Sequence, residues 1–175
     1  MRSRWVSDEK IRAILVALTP PNRLAVEMSY RYGMRIGDVL ATRTEDVRNG
    51  RWTYKEEKTG KRRRITLSPT MQTRLLQQAG RIYVFEHRLD QKRHRTRFAV
   101  YKDMRRVADF FRMGVGVSPH SARKGYAVRE YHQSGNDLKR VQRLLNHGSE
   151  AVTMIYALAD ELCVKSNDGM LKKND

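Results

Sequence analysis

The sequence predicts a mainly helical α+β domain that carries one small antiparallel β-hairpin. Apolar residues recur at helical spacing along most of the chain, whereas two short segments around residue 60 alternate with period two. Ser-Pro and Pro-Pro pairs stand where helices would begin, and Gly33 stands where one would end. At 175 residues the chain has the length of one domain able to enclose a core. No repeat, low-complexity tract or Pro/Gly/Ser-rich linker divides it.

Each element follows from local signals. Ser7 can cap a helix to about Leu18, with Ile11, Ile14, Leu15 and Leu18 on one face. Pro20 and Pro21 end it and open a second, Asn22 to Tyr32, which Gly33 can close in a left-handed conformation. A short helix after Arg35 would bury Ile36, Val39 and Leu40. Arg51 to Glu57 and Arg62 to Leu67 alternate as two strands, joined by a turn at Lys58-Thr59-Gly60-Lys61. Ser68-Pro69 reads as the start of a helix to about Gln78. The segment His87 to Arg97 is too charged to own a buried face and reads as an exposed loop. Helical spacing returns from Phe98 to Met113, with Tyr101, Met104, Val107, Ala108 and Phe111 inward. Ser118-Pro119 opens a helix through Gln133, and Gly135-Asn136 separates it from one ending near Asn146. Ser149 caps a last helix carrying Val152, Ile155 and Tyr156, and the tail from about Asp160 is weakly periodic.

Composition narrows the class of partner. Lys and Arg number 36 against 19 Asp and Glu, a formal net charge of +17. That excess calls for a polyanion, nucleic acid first and a membrane surface second. With 39% hydrophobic and 31% charged residues, the chain is globular rather than disordered. The single cysteine, Cys163, excludes an intramolecular disulfide framework and fits a reducing compartment. No apolar run reaches the roughly 18 residues of a membrane span. Asp8, Glu9, Lys10 and Arg12 interrupt the apolar N-terminal stretch as they would not a secretory signal. A cytoplasmic protein with no membrane partner is expected. His87, His94, His120, His132 and His147 match no metal-ligand motif, and no Gly-rich phosphate loop is present. Gly114-Val-Gly116 reads as a turn. No metal and no cofactor are expected.

Three local groups remain. Tyr32-Gly-Met-Arg35-Ile-Gly-Asp38 sets an arginine just after a helix-ending glycine. Pro119-His120-Ser-Ala-Arg123 sets His and Arg three residues apart at a helix N-terminal end, where free N–H groups and the dipole favour anions. Leu144-Leu145-Asn146-His147 is followed nine residues on by Tyr156. Singly, each has an ordinary explanation: Arg35 can pair with Asp38, a helical tyrosine packs, and a charge run is a solvated face.

Together and in this order, Arg35, Lys58 on the hairpin turn, His120-x-x-Arg123, His147 and Tyr156 resemble the catalytic set of the tyrosine recombinases, the phage integrase family. The resemblance spans almost the whole chain. Gly33 to Asp38 is similar to that family's first arginine box, and Lys58 to Lys61 with Ile65-Thr-Leu67 to its hairpin lysine. Pro119 to Arg123 matches its His-x-x-Arg box, and Leu145-Asn-His147 through Ile155-Tyr156 its nucleophile box. Two positions depart from it. The chain reads Arg123-Lys124-Gly125 where the family often has Arg-His, and Asn146 precedes His147 where Gly is usual. Both bear on substrate fit and packing; neither removes a catalytic group.

The resemblance implies a fold of the DNA breaking-rejoining type and a metal- and ATP-independent transesterification through a covalent 3′-phosphotyrosine. Arg35 and Arg123 would clamp the phosphate, since a planar guanidinium can hold two oxygens. A free phenol, with a pKa of about 10, is a weak nucleophile near neutrality. His120 would take the proton of Tyr156, Lys58 would protonate the departing 5′-oxygen, His147 would hydrogen-bond the phosphate and Asp38 would orient the site. Tyr126 and Tyr131 are rival nucleophiles without the family spacing from His147. Further DNA contacts are expected from Lys61, Arg62, Arg63 and Arg64 on the hairpin, from Arg88, Lys92, Arg93, Arg95 and Arg97, and from Lys124.

The expected partner is a double-stranded DNA recombination site, bound by a homotetramer on synapsed DNA, with a monomer as the free form. Residues 1–175 would then be a catalytic domain, with a nucleophile helix near 149–158 and a tail from about 160, lacking the family's N-terminal core-binding domain. The rival readings are a type IB topoisomerase-like enzyme and a non-catalytic, basic DNA-binding regulator.

Overall fold

The computed structural model describes residues 5–114 and 116–145. Four helices come first: α1 (Asp8–Ala17), α2 (Pro20–Tyr32), α3 (Ile36–Leu40) and α4 (Thr44–Arg48). A hairpin follows, of β1 (Arg51–Lys55) and β2 (Arg62–Thr66), and then α5 (Pro69–Gln78), α6 (Arg97–Phe110), α7 (Pro119–Gln133) and α8 (Leu138–Leu144). Among the described residues no helix is long and apolar enough to cross a membrane.

The helix starts are chemically local. Ser7, Ser68 and Thr96 each accept a hydrogen bond from the backbone N–H three residues on, at the heads of α1, α5 and α6. Asp137 does the same for α8. α2 begins differently. Its N-cap Thr19 makes no side-chain cap of its own; instead Asp103 of α6 accepts from the Thr19 N–H at 3.0 Å, the Thr19 hydroxyl at 2.7 Å and Asn22 Nδ2 at 2.8 Å. A carboxylate 84 residues away thus satisfies the start of α2.

The core lies where α2 packs along α7, with α1 and α6 against both and α3 against α2 and α6. Ile11, Ile14, Met28, Met34, Val39, Leu40, Met104 and Val107 are fully enclosed there. Two glycines permit the close approach of α2 to α7. A Cβ on Gly125 would meet the Tyr30 ring at 3.1 Å. Gly33 has φ of 62°, and a Cβ there would fall 2.3 Å from Cδ1 of Tyr126.

In the hairpin Trp52 pairs with Ile65 and both face the core, while Tyr54 pairs with Arg63. Side chains alternate across the sheet, so Arg63 shares the inward face with Ile65, whereas Arg62 and Arg64 face solvent. The strands are shorter than expected and the turn longer, running from Glu56 to Lys61. Backbone bonds close it, Gly60 N–H to Glu56 O and Glu56 N–H to Lys61 O, both at 2.9 Å.

Two further expectations need correction, and one helix, α4, lacks a sequence signal. Tyr101 and Phe111 lie outward, 42% and 41% exposed, and the buried stripe of α6 is Val100, Met104, Val107 and Ala108. Phe111 follows the last helical turn, so helical spacing no longer governs it. α4 escapes periodicity because its five residues contain one apolar side chain, Val47. The segment from His87 to Arg97 is not wholly exposed: Arg95 donates from Nε to Asn22 Oδ1 at 2.6 Å, and from its N–H to Phe85 O at 2.7 Å.

Candidate active site

Arg35 sits at the N-cap of α3, immediately beyond the Gly33 bend, which turns the chain from α2 toward the hairpin. Its side chain is 13% exposed, and Nη1 lies 2.8 Å from Oε2 of the enclosed Glu56. The same oxygen of Glu56 accepts the Thr59 hydroxyl at 2.6 Å. The other oxygen lies 3.9 Å from Nη1 of Arg63. One carboxylate at the base of the turn therefore meets both guanidiniums and the residue after Lys58.

Arg123 is the most enclosed large side chain on α7, 1% exposed. Its Nη1 donates to the Gly33 carbonyl at 2.6 Å, and Nη2 to the Leu145 carbonyl at 3.2 Å. Arg63 donates to that same Gly33 carbonyl at 2.7 Å and to Tyr32 O at 2.5 Å. A continuous path thus runs from Arg35 through Glu56, Arg63 and the Gly33 oxygen to Arg123. Leu145 lies two residues before His147, so Arg123 also touches the backbone that leads to that box.

Asp38 accepts the Glu57 N–H at 3.0 Å on Oδ1, which pins the start of the turn to α3. Burial pushes its carboxyl above the ordinary value, and nearby Glu56 adds to this; the Glu57 N–H, Arg35 and Arg123 oppose it. Tyr54, beneath the same cluster, is pushed up to about 12, chiefly by burial. Three guanidiniums, Arg35, Arg63 and Arg123, lie around the Asp38 and Glu56 carboxylates. Two carboxylates offset most of the cost of enclosing three cations.

Lys58 and His120 are exposed, Lys58 on the turn and His120 in the first turn of α7, one helical turn before Arg123. The described residues thus bring Arg35, Arg123 and the Lys58 turn into one cluster of ion pairs and hydrogen bonds, with His120 on the helix that carries Arg123. His147 and Tyr156, with Asn146, lie outside the described residues. Of the rival tyrosines, Tyr126 is 6% exposed, and burial raises its pKa, the reverse of what a nucleophile needs. Among the described residues no group of three or more His, Cys, Asp or Glu could hold a metal ion.

The basic residues divide. Arg62, Arg64, Arg88, Lys92, Arg93 and Arg97 are exposed, as is Lys61. Arg63 and Lys124 are enclosed, and Arg95 is tied to α2. Arg63 serves the interior of the site, where a phosphate contact was expected. Sequence reasoning missed this and missed Glu56. Strand parity with Ile65 was the available signal for Arg63; no local signal marks Glu56.

The sequence profile of the phage integrase family matches residues 4–162. A probable integrase/recombinase of Bacillus subtilis, YoeC, is 28% identical over 132 residues, which are 73% of this chain and 72% of that protein. The tyrosine recombinase XerA of Pyrococcus furiosus is 24% identical over 165 residues, covering 86% of this chain and 56% of XerA. Among solved structures, a lambda integrase dimer bound to a COC′ core site superposes with a TM-score of 0.70. That match is 20% identical and covers 88% of this chain and 48% of the integrase, a likeness of fold.

Proposed function

Because this chain belongs to the phage integrase family, we propose that it is the catalytic domain of a site-specific DNA recombinase. The observation that carries the reading is the path of ion pairs and hydrogen bonds that joins Arg35 to Arg123 through Glu56, Arg63 and the Gly33 carbonyl. It presents two guanidiniums, fixed in advance, beside a lysine-bearing turn and a histidine at a helix N-terminus. Phosphoryl transfer asks for such positioning and charge neutralisation above all.

In the proposed reaction the Tyr156 oxygen forms a bond to the scissile phosphorus as the bond to the 5′-oxygen breaks. His120 takes the phenolic proton, and Lys58 gives a proton to the departing 5′-oxygen. Arg35 and Arg123 hold the non-bridging oxygens, with His147 as a further donor. The 3′-phosphotyrosine conserves the phosphodiester energy, so a 5′-hydroxyl from another duplex can reverse the step without ATP. Exchange of both strands of two duplexes needs four such cleavages, which calls for four copies on synapsed DNA. The proposed setting is the cytoplasm of a bacterial host.

The test is a nicked duplex that traps the covalent adduct. Wild-type protein is expected to give an SDS-stable adduct that Tyr156→Phe abolishes. No adduct on cognate DNA overturns the catalytic reading in favour of a DNA-binding regulator. Relaxation of a plasmid lacking any specific site replaces the recombinase with a topoisomerase-like enzyme.

A further inference from the structure

We propose that Glu56 is a positioning residue that couples the phosphate clamp to the leaving-group acid. This rests on the recombinase reading above. Its carboxylate is fully enclosed, and one oxygen serves two ends of the chemistry: Arg35 Nη1 at 2.8 Å and the Thr59 hydroxyl at 2.6 Å. Thr59 also accepts the Lys61 N–H at 3.3 Å, so its hydroxyl is anchored on both sides of the turn. Lys58 lies between Glu56 and Thr59 in sequence, inside the small loop that this hydrogen bond closes. The ammonium that would break its N–H bond to form the new O–H bond on the 5′-oxygen therefore hangs from a turn referenced to Arg35. The other oxygen faces Arg63, which carries the same reference on to the Gly33 carbonyl and Arg123. Removing the carboxylate would free the turn and, at the same stroke, take from Arg35 its ion pair with Glu56.

The two arms separate chemically. A sulfur in the bridging 5′ position leaves without a proton, because a thiol, with a pKa of about 8.5, is far more acidic than an alcohol. A defect in proton delivery is rescued by sulfur, whereas a defect in the clamp is not. The probe is a duplex enriched for wild-type adduct from a pool of nicked duplexes randomised around the nick, then resynthesised with bridging oxygen or sulfur. Thr59→Val is expected to slow adduct formation about tenfold on oxygen and to return within about threefold of wild type on sulfur; Thr59→Ser stays near wild type on both. Glu56→Gln is expected to lose about a hundredfold on sulfur, since Arg35 serves the phosphate whatever leaves, and about tenfold more on oxygen, where the freed turn also fails to deliver its proton. Should Glu56→Gln lose its cooperative melting transition, the Thr59 pair decides alone. Equal slowing of Thr59→Val on both substrates, or a wild-type rate in Glu56→Gln, overturns the proposal while the recombinase reading stands. A wild-type protein giving no adduct on either substrate overturns both.

Discussion

Arg63 and Arg123 donate to one backbone oxygen, the Gly33 carbonyl, at 2.7 and 2.6 Å. Two like charges converge there because a left-handed bend turns that carbonyl toward both, with Glu56 beside one of them. The bend, rather than a carboxylate, is the point through which α7 and the hairpin register with each other.

Gly33→Ala should therefore be among the most damaging single changes in the chain. A left-handed alanine costs roughly 1–2 kcal/mol, and forcing the Tyr126 ring away adds roughly 1–3 kcal/mol of overpacking. Denaturant unfolding is expected to show a loss of about 2–5 kcal/mol, together with weaker adduct formation. A stability unchanged from wild type would show that the bend is not what registers these elements.

Neighbouring arginines of β2 should behave oppositely. Arg64 faces solvent, so Arg64→Ala should leave thermal stability unchanged and make the slope of log K against log salt shallower by about 0.9, one phosphate contact. Arg63→Ala breaks an enclosed ion pair and two carbonyl contacts, and should cost about 3 kcal/mol of stability while the salt slope holds. Titrations of DNA binding at several salt concentrations, beside melting curves, distinguish the two.

The acid side of the stability profile should depend on Asp103. Burial pushes its carboxyl up, but hydrogen bonds from Asn22, Thr19 and Arg106 outweigh this and hold it below the ordinary value. A depressed folded pKa contributes stability that is present above the unfolded value, about 3.9, and is lost as pH falls through the folded one. Asp103→Asn should thus destabilise by about 2 kcal/mol at pH 7, with the gap closing below about pH 4. Melting temperatures across pH 2.5–7, chosen as a window of about this width around the Asp value, would expose a constant gap if the carboxylate is not responsible.

Tyr126→Phe should leave the covalent adduct intact, within about threefold of the wild-type rate. The ring is enclosed against Gly33, with the Arg129 guanidinium 5.7 Å from its centroid, and its raised pKa disfavours the phenolate. An adduct lost in Tyr126→Phe and kept in Tyr156→Phe would reassign the nucleophile.

Much of this protein is decided residue by residue along the chain. Ser7, Ser68, Thr96 and Asp137 cap helices by bonds spanning three residues, and Gly33 ends α2 through its own φ, so these boundaries are legible without a fold. The order Arg35, Lys58, His120, Arg123, His147, Tyr156 is likewise a property of the chain, and it led to the family before any geometry. The tertiary structure alone decided where enclosed charges find their partners. Glu56 and Arg63 sit in a hairpin read as a basic DNA-facing surface, and Asp103 sits on a helix far in sequence from the one whose start it satisfies. An enclosed charge is tolerated only where partners from distant segments converge on it. Neither composition nor spacing encodes that convergence. Packing α2 against α7 brings Arg123 to the Gly33 oxygen, 90 residues away, which Arg63 of the hairpin shares, and so joins to one another arginines that lie far apart in the chain.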